Sequence, residues 1–229
     1  TRTYPLAANY SASASLMLSH ERIDKLGLAR LFNPSQFDNT ARITAVQPYD
    51  PDRIPVLFVH GLQDSPATWA PMYFGLMADE NIRARYQFWT FSYPSGYPYP
   101  HSAAIFREQL AQVRELYPDH KDIVLIGHSM GGLISRLMVT TAGDRIWMAA
   151  FGAAPEETKI RGRSFDILTN ALIFEAHPHI GRVIYIAAPH QGSEMADNWI
   201  GRMTSRLVKL PRTFANLRDD IINTATLDQ

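Results

Sequence analysis

The sequence contains no cysteine, no long apolar run and no excess of either charge sign. Without cysteine, the chain has no disulfides, thiolate nucleophiles, cysteine-based zinc sites or iron–sulfur clusters. No apolar run approaches the roughly 18–20 residues that span a bilayer. Lysine plus arginine and aspartate plus glutamate both number 22, so no overall field favours nucleic acid. These absences are typical of a globular domain without a nucleic-acid partner.

From residue 51 onward, apolar runs alternate with amphipathic stretches. The runs predict strands buried on both faces at 56–59, 123–126 and 183–187, and an aromatic-rich strand at 86–91. Apolar residues three or four positions apart predict helices at 66–77, 106–117 and 129–140. Strands that alternate with helices predict an α/β fold, with a mainly parallel sheet and helices on both faces.

Two segments depart from this alternation. Residues 1–50 predict an N-terminal extension of helical turns and loops, so the α/β domain is expected to occupy residues 51–229. Within that domain, an insertion is expected at about 144–180, with a helix around 165–174. After residue 192 no further strand-like apolar run appears.

The segment Gly127-His128-Ser129-Met130-Gly131 fits the Gly-x-Ser-x-Gly pattern of a nucleophile elbow. A predicted buried strand runs into it and a predicted helix leaves it, which is the context the motif requires. The glycines let strand and helix pack closely around a sharp turn, and the amides of the helix N-terminus point to where negative charge develops. Ser129 is therefore the candidate nucleophile.

Four motifs in this order resemble those of bacterial lipases and esterases of the α/β-hydrolase superfamily. The resemblance covers most of residues 48–200 and rests on Pro55-Val56-Leu57-Phe58-Val59-His60-Gly61-Leu62, Phe91-Ser92-Tyr93-Pro94-Ser95-Gly96, the elbow, and Ala188-Pro189-His190-Gln191-Gly192-Ser193. It implies a serine hydrolase that cleaves small-molecule or lipid carboxylic esters through an acyl-enzyme on Ser129, without metal or cofactor. A non-catalytic binding or scaffold protein with a hydrolase core is the alternative.

In such a fold, backbone N–H groups supply the oxyanion hole, and the resemblance implies Leu62 and Met130 as the donors. Three histidines lie near these segments: His60 and His128 are expected to order their turns, and His190 to line the cleft. None of the three is assigned as the general base.

The triad acid and histidine are not identified. The family order is serine, then acid, then histidine, so the histidine base is expected late in the chain, but the last histidine of this sequence is His190. Three explanations stay open. The chain is an incomplete piece that lacks its C-terminal strands; His190, His177 or His179 completes the triad unusually; or the protein binds without catalysis.

Two weaker patterns carry no assignment. Glu175, His177 and His179 resemble a metal-binding group, but a polar surface loop is the favoured interpretation, so no metal site is predicted. Basic residues at helical spacing in 202–212 form a face that is usually solvated, although it would also suit peripheral contact with a lipid surface. The sequence does not fix the compartment, although it favours export or envelope association in a bacterium, and no partner protein is implied.

Overall fold

In the computed structural model, which describes residues 40–191, five strands form one sheet in the order β1-β3-β2-β4-β5. Strands β2 to β5 are parallel to their neighbours, and β1 runs antiparallel to β3 at one edge. The prediction of a mainly parallel α/β sheet is confirmed. The strands are β1 (Arg42–Ala45), β2 (Ile54–Val59), β3 (Tyr86–Ser92), β4 (Ile123–His128) and β5 (Ile180–Ile186).

Helices connect the parallel strands. Each of the three predicted helices corresponds to an observed one, and none of the described helices is long and apolar enough to cross a membrane. Short 3-10 turns occur at Pro66–Trp69 and Pro155–Glu157. The helices are α1 (Ala70–Ala78), α2 (Glu80–Arg85), α3 (Tyr99–Leu116), α4 (Met130–Met138), α5 (Arg145–Phe151) and α6 (Gly162–Leu172).

Strand β2 lies at the centre of the core. Successive side chains of a strand point to opposite faces, and both faces of β2 are covered. Leu57 and Val59 belong to a cluster that includes Ile134 of α4 and several side chains of α3. Phe58 packs in a second cluster on the other face, where its ring stacks on Trp69 at 4.9 Å. Burial on both faces explains the continuous apolar run of this strand.

The prediction that residues 1–50 contain only helical turns and loops is wrong for residues 42–45, which form β1. This strand is four residues long and mostly exposed, so its sequence lacks the apolar run of a buried strand. Antiparallel pairing with β3, a tertiary contact, supplies its hydrogen bonds. Residues 1–39 and the basic face at 202–212 lie outside the described residues.

Strand β5 was expected to be buried on both faces, and this is also wrong. Its residues are half-buried or exposed, with Ile184 at 43% and Tyr185 at 40% exposure. The physical reason is its position: β5 pairs with β4 on one side, and no strand of residues 40–191 pairs with its other side. An apolar sequence therefore predicted the strand correctly but not how deeply it is covered.

The two ends of the segment between α4 and β5 are hydrogen-bonded to each other: the N–H groups of Ala142 and Gly143 donate to the carbonyl oxygen of Phe174 at 2.9 and 3.1 Å. The segment contains α5 and α6, and α6 overlaps the helix predicted around 165–174. Its own apolar cluster contains Trp147 and also Tyr97, which follows β3. Through this cluster, the segment packs against Tyr97, in the loop that follows the carboxyl end of β3.

Candidate active site

Ser129 lies between β4 and α4 with φ 53° and ψ −122°. A positive φ is rare for a residue with a side chain and costs of order 1–3 kcal/mol, so it persists only where the surroundings enforce it. The N–H of Ser129 donates to the carbonyl oxygen of Ile186 at 2.9 Å, and its carbonyl accepts from the N–H of Gly132 at 2.9 Å. The turn at Ser129 is therefore held from both sides.

Two glycines permit this turn. A Cβ at Gly127 would lie 2.5 Å from the carbonyl oxygen of Gly131, and a Cβ at Gly131 would overlap the carbonyl oxygen of Val59. Both distances are shorter than real side chains tolerate, so the elbow packs too tightly for any larger residue. The Gly-x-Ser-x-Gly pattern thus has a steric cause in this chain.

The loop after β2 lies against the elbow. A Cβ at Gly61 would be 3.2 Å from the Cβ of Ser129. Leu62 follows in this loop and is half-buried, while Met130 is the first residue of α4. Backbone N–H groups in the first turn of a helix have no partner within the helix and attract negative charge. The proposed oxyanion donors therefore belong to two segments that meet at Ser129.

His60 is fully buried inside this arrangement. Its Nδ1 lies 2.9 Å from the carbonyl oxygen of Gly61, and its ring stacks on that of Tyr93 at 4.2 Å with an interplanar angle of 12°. The hydroxyl of Tyr93 donates to the carbonyl oxygen of His60 at 2.6 Å. Tyr93 lies just beyond β3, at the sheet edge where ligands bind in open α/β sheets, and the sequence predicted that place but not its bond to the loop of His60.

The other two candidate histidines lie at the same edge of the sheet. The ring of His128 is edge-on to Trp69 at 6.4 Å, and that of His190 is edge-on to Tyr185 at 4.5 Å. His190 is exposed. Among residues 40–191, no histidine ring is hydrogen-bonded to the hydroxyl of Ser129.

His177 and His179 are excluded as the base by their position. The carbonyl oxygen of His179 accepts from the N–H of Ile123, the first residue of β4, whereas Ser129 follows the last. Six residues of strand separate the two ends, which is about 20 Å at the usual rise per residue. Burial, and then the nearby His179 and His120, lower the pKa of His177. Within the described part of the chain, no cluster fits a metal ion.

A strained serine between a parallel strand and a helix, faced by the loop of the neighbouring strand, is the arrangement that defines α/β-hydrolases. The chain belongs to the alpha/beta hydrolase family, whose model matches residues 56–225. The comparison with curated proteins finds no match.

Solved structures that resemble the chain include lipase BlEst2 of Bacillus licheniformis and esterase Pf2001 of Pyrococcus furiosus. The mature form of BlEst2 is 20% identical, with a TM-score of 0.42, over 79% of this chain and 65% of that chain. Its propeptide form is 19% identical, with a TM-score of 0.43, over 80% and 36%. Esterase Pf2001 is 16% identical, with a TM-score of 0.31, over 76% of this chain and 92% of that chain. The chain thus spans less than two thirds of the matched BlEst2 chains.

Proposed function

We propose that this protein is a serine hydrolase of carboxylic esters, of the lipase or esterase type, with Ser129 as its nucleophile. The observation that supports this most strongly is the conformation of Ser129, a side-chain-bearing residue at φ 53° with Gly61 packed against it. A strained turn of this kind presents the hydroxyl at the carboxyl edge of the sheet, where an ester carbonyl has access.

The proposed reaction has two halves. The Oγ of Ser129 attacks the ester carbonyl, its proton passes to a general base, and the carbonyl oxygen becomes negative. The N–H groups of Leu62 and Met130 stabilise that oxyanion. The C–O bond to the alcohol then breaks, the alcohol leaves with a proton, and water hydrolyses the acyl-serine to release the acid. The base is assigned to no residue between 40 and 191.

One observation favours the alternative function, a binding or scaffold protein built on a hydrolase core. Activation of a serine needs a base within about 2.6–3.2 Å of its hydroxyl, directly or through one water. No imidazole of the described residues makes that hydrogen bond to Ser129. A protein of this alternative class would bind an ester at the same edge of the sheet without cleaving it.

Hydrolysis of a short p-nitrophenyl ester distinguishes the two functions. We expect release of p-nitrophenol by the wild-type chain and only the uncatalysed rate with Ser129→Ala. Ser92→Ala, which changes a serine at the end of β3 rather than at the elbow, is the matched control and should retain turnover. Equal rates for the wild type and Ser129→Ala would contradict the proposal, whereas saturable ester binding without any turnover would support the binding protein.

A further inference from the structure

Two buried hydroxyls from the loop after β3 hold the loop after β2. The hydroxyl of Tyr93 donates to the carbonyl oxygen of His60 at 2.6 Å, and the N–H of Gln63 donates to Oγ of Ser95 at 3.2 Å. Tyr93 is fully buried and Ser95 is 1% exposed. These bonds lie on either side of Leu62, so the loop is fixed at both ends of the segment that contains this amide.

A third contact acts on the peptide unit of Leu62 itself. Nδ1 of His60 lies 2.9 Å from the carbonyl oxygen of Gly61. A carbonyl only accepts, so Nδ1 has the proton in this bond. The carbonyl of Gly61 and the N–H of Leu62 belong to one planar trans peptide and point in opposite directions. Holding the carbonyl toward His60 therefore directs the N–H of Leu62 away from His60.

The ring of Tyr93 also keeps His60 in place. The two rings are stacked at 4.2 Å, and Tyr93 is itself stacked on Phe91 at 5.1 Å, which in turn lies 4.4 Å from Phe106 of α3. The imidazole thus rests on a column of aromatic rings that extends into the core. Close packing in the interior leaves such a column little room to move.

We infer that Tyr93 and Ser95 are positioning residues, which act through His60 and Gln63 to hold the N–H of Leu62 in place before charge develops on the substrate. This inference rests on the proposed function, because only a reaction at Ser129 gives that amide a catalytic task. Fixed donors stabilise an oxyanion best when no reorganisation is needed at the moment of reaction. The loop lies so close to the elbow that a Cβ at Gly61 would be 3.2 Å from the Cβ of Ser129, which leaves the loop little freedom to compensate.

The hydroxyl of Tyr93 is suited to this permanent role. Burial, and then the nearby carboxylate of Asp64, raise the pKa of Tyr93 well above its usual range. The phenol therefore keeps its proton, and remains a donor, throughout the range in which ester hydrolases work. A phenolate in this position would lose the bond to the carbonyl of His60, because two acceptors cannot share it.

The test combines hydrogen exchange of the segment 60–63 with the rate at which a fluorophosphonate ester modifies Ser129. Tyr93→Phe removes one hydroxyl and keeps the aromatic column. Tyr99→Phe is the matched control, because Tyr99 is 41% exposed. In Tyr93→Phe we expect exchange to be about fivefold faster, as for one lost hydrogen bond, and modification to be about tenfold slower, a fraction of the loss of an oxyanion donor. Ser95→Ala should shift both in the same direction.

The outcomes separate the inference from the function on which it rests. Unchanged exchange of 60–63 in both Tyr93→Phe and Ser95→Ala would overturn the inference while leaving the nucleophile intact. Faster exchange with an unchanged modification rate would overturn the positioning role. A wild-type Ser129 that does not react would overturn the proposed function and, with it, the catalytic role of these hydroxyls. If Tyr93→Phe fails to fold, Ser95→Ala alone decides.

Discussion

Neighbouring strands β4 and β5 end in the same way but in different surroundings. The residue after β4 is Ser129, with φ 53°, and the residue after β5 is Ala187, with φ 48°. Most of β4 is buried, whereas β5 has no buried residue and exposes Ile184 by 43%. Each strand is thus followed by a kink, a residue with positive φ, but the kink after β4 ends a mostly buried strand and the kink after β5 ends a strand without buried residues.

The two kinks differ in the residues that pack around them. At Ser129, the elbow leaves no room for a Cβ at Gly127 or Gly131, and a Cβ at Gly61 would lie 3.2 Å from the Cβ of Ser129. At Ala187, the neighbouring Ala188 packs against Gly132, but Ala187 itself is exposed. Backbone strain that the surrounding structure enforces is found most often at functional sites. The comparison therefore supports the proposal that Ser129 after β4, rather than Ala187 after β5, is the reactive residue.

The largest expected effect concerns burial along the two strands. Leu125→Ala on β4, where Leu125 is fully buried, should lower the free energy of unfolding by about 3 kcal/mol. Ile184→Ala on β5 should change it by less than about 1 kcal/mol, because Ile184 is already 43% exposed. Denaturant unfolding measures both. A loss at Ile184 as large as that at Leu125 would show that β5 is covered in the protein, and the comparison would fail.

Tight packing at the elbow is tested by two glycines. Gly131→Ala should lower the free energy of unfolding by about 2 kcal/mol, because its Cβ would overlap the carbonyl oxygen of Val59 and force α4 away from the end of β2. Gly75→Ala is the matched control, since no atom lies within 4 Å of its Cβ in α1. It should stabilise the helix by about 0.5–1 kcal/mol. Thermal unfolding that gives equal shifts for both would refute the steric account.

Strain at the kink after β5 is tested by Ala187→Gly. Glycine adopts φ 48° without steric cost, so this change should raise the free energy of unfolding by up to about 1 kcal/mol. Ala149→Gly, in the regular helix α5, is the control of opposite sign and should lower it by about 1 kcal/mol. Destabilisation by Ala187→Gly would mean that the kink is not strained.

The smallest expected effect concerns His177, which lies near the beginning of β4 and β5, at the end of the sheet opposite Ser129. Burial lowers the pKa of His177 from 6.5, so the folded state takes up this proton less readily than the unfolded chain. Stability from the neutral ring is present above pH 6.5 and is lost as pH falls below it. His177→Asn should therefore flatten the fall in Tm between about pH 7 and pH 5. Equal slopes for the wild type and His177→Asn would contradict the assignment.

Much of the fold was predictable because burial on both faces leaves a local signal. The apolar runs of β2 and β4 and the elbow between β4 and α4 follow from that signal. Strand β1 was missed because its four exposed residues depend on pairing with β3. The exposure of β5 could not be predicted, since the apolar composition of a strand does not state how many neighbours it has.

The candidate site was predictable to the extent that its parts are contiguous in sequence. The elbow and the His60-Gly61-Leu62 loop are local motifs. The hydrogen bond from Tyr93 joins residues 33 positions apart, and no periodicity indicates it. His177 and His179 were kept as possible bases because sequence distance does not show which end of a strand a residue occupies; the structure places them at the wrong end. The base stays unassigned, and the compartment and the substrate class stay predictions.

The most direct test of the central claim is covalent modification of the wild-type chain by a fluorophosphonate ester, followed by mass spectrometry of its peptides. The account predicts one adduct, on the peptide that contains Ser129, and no adduct in Ser129→Ala. Denatured wild-type chain should also fail to react, because the folded elbow and its amides create the reactivity. A folded wild-type chain without an adduct, or with the adduct on another residue, would contradict the assignment of Ser129 as the nucleophile.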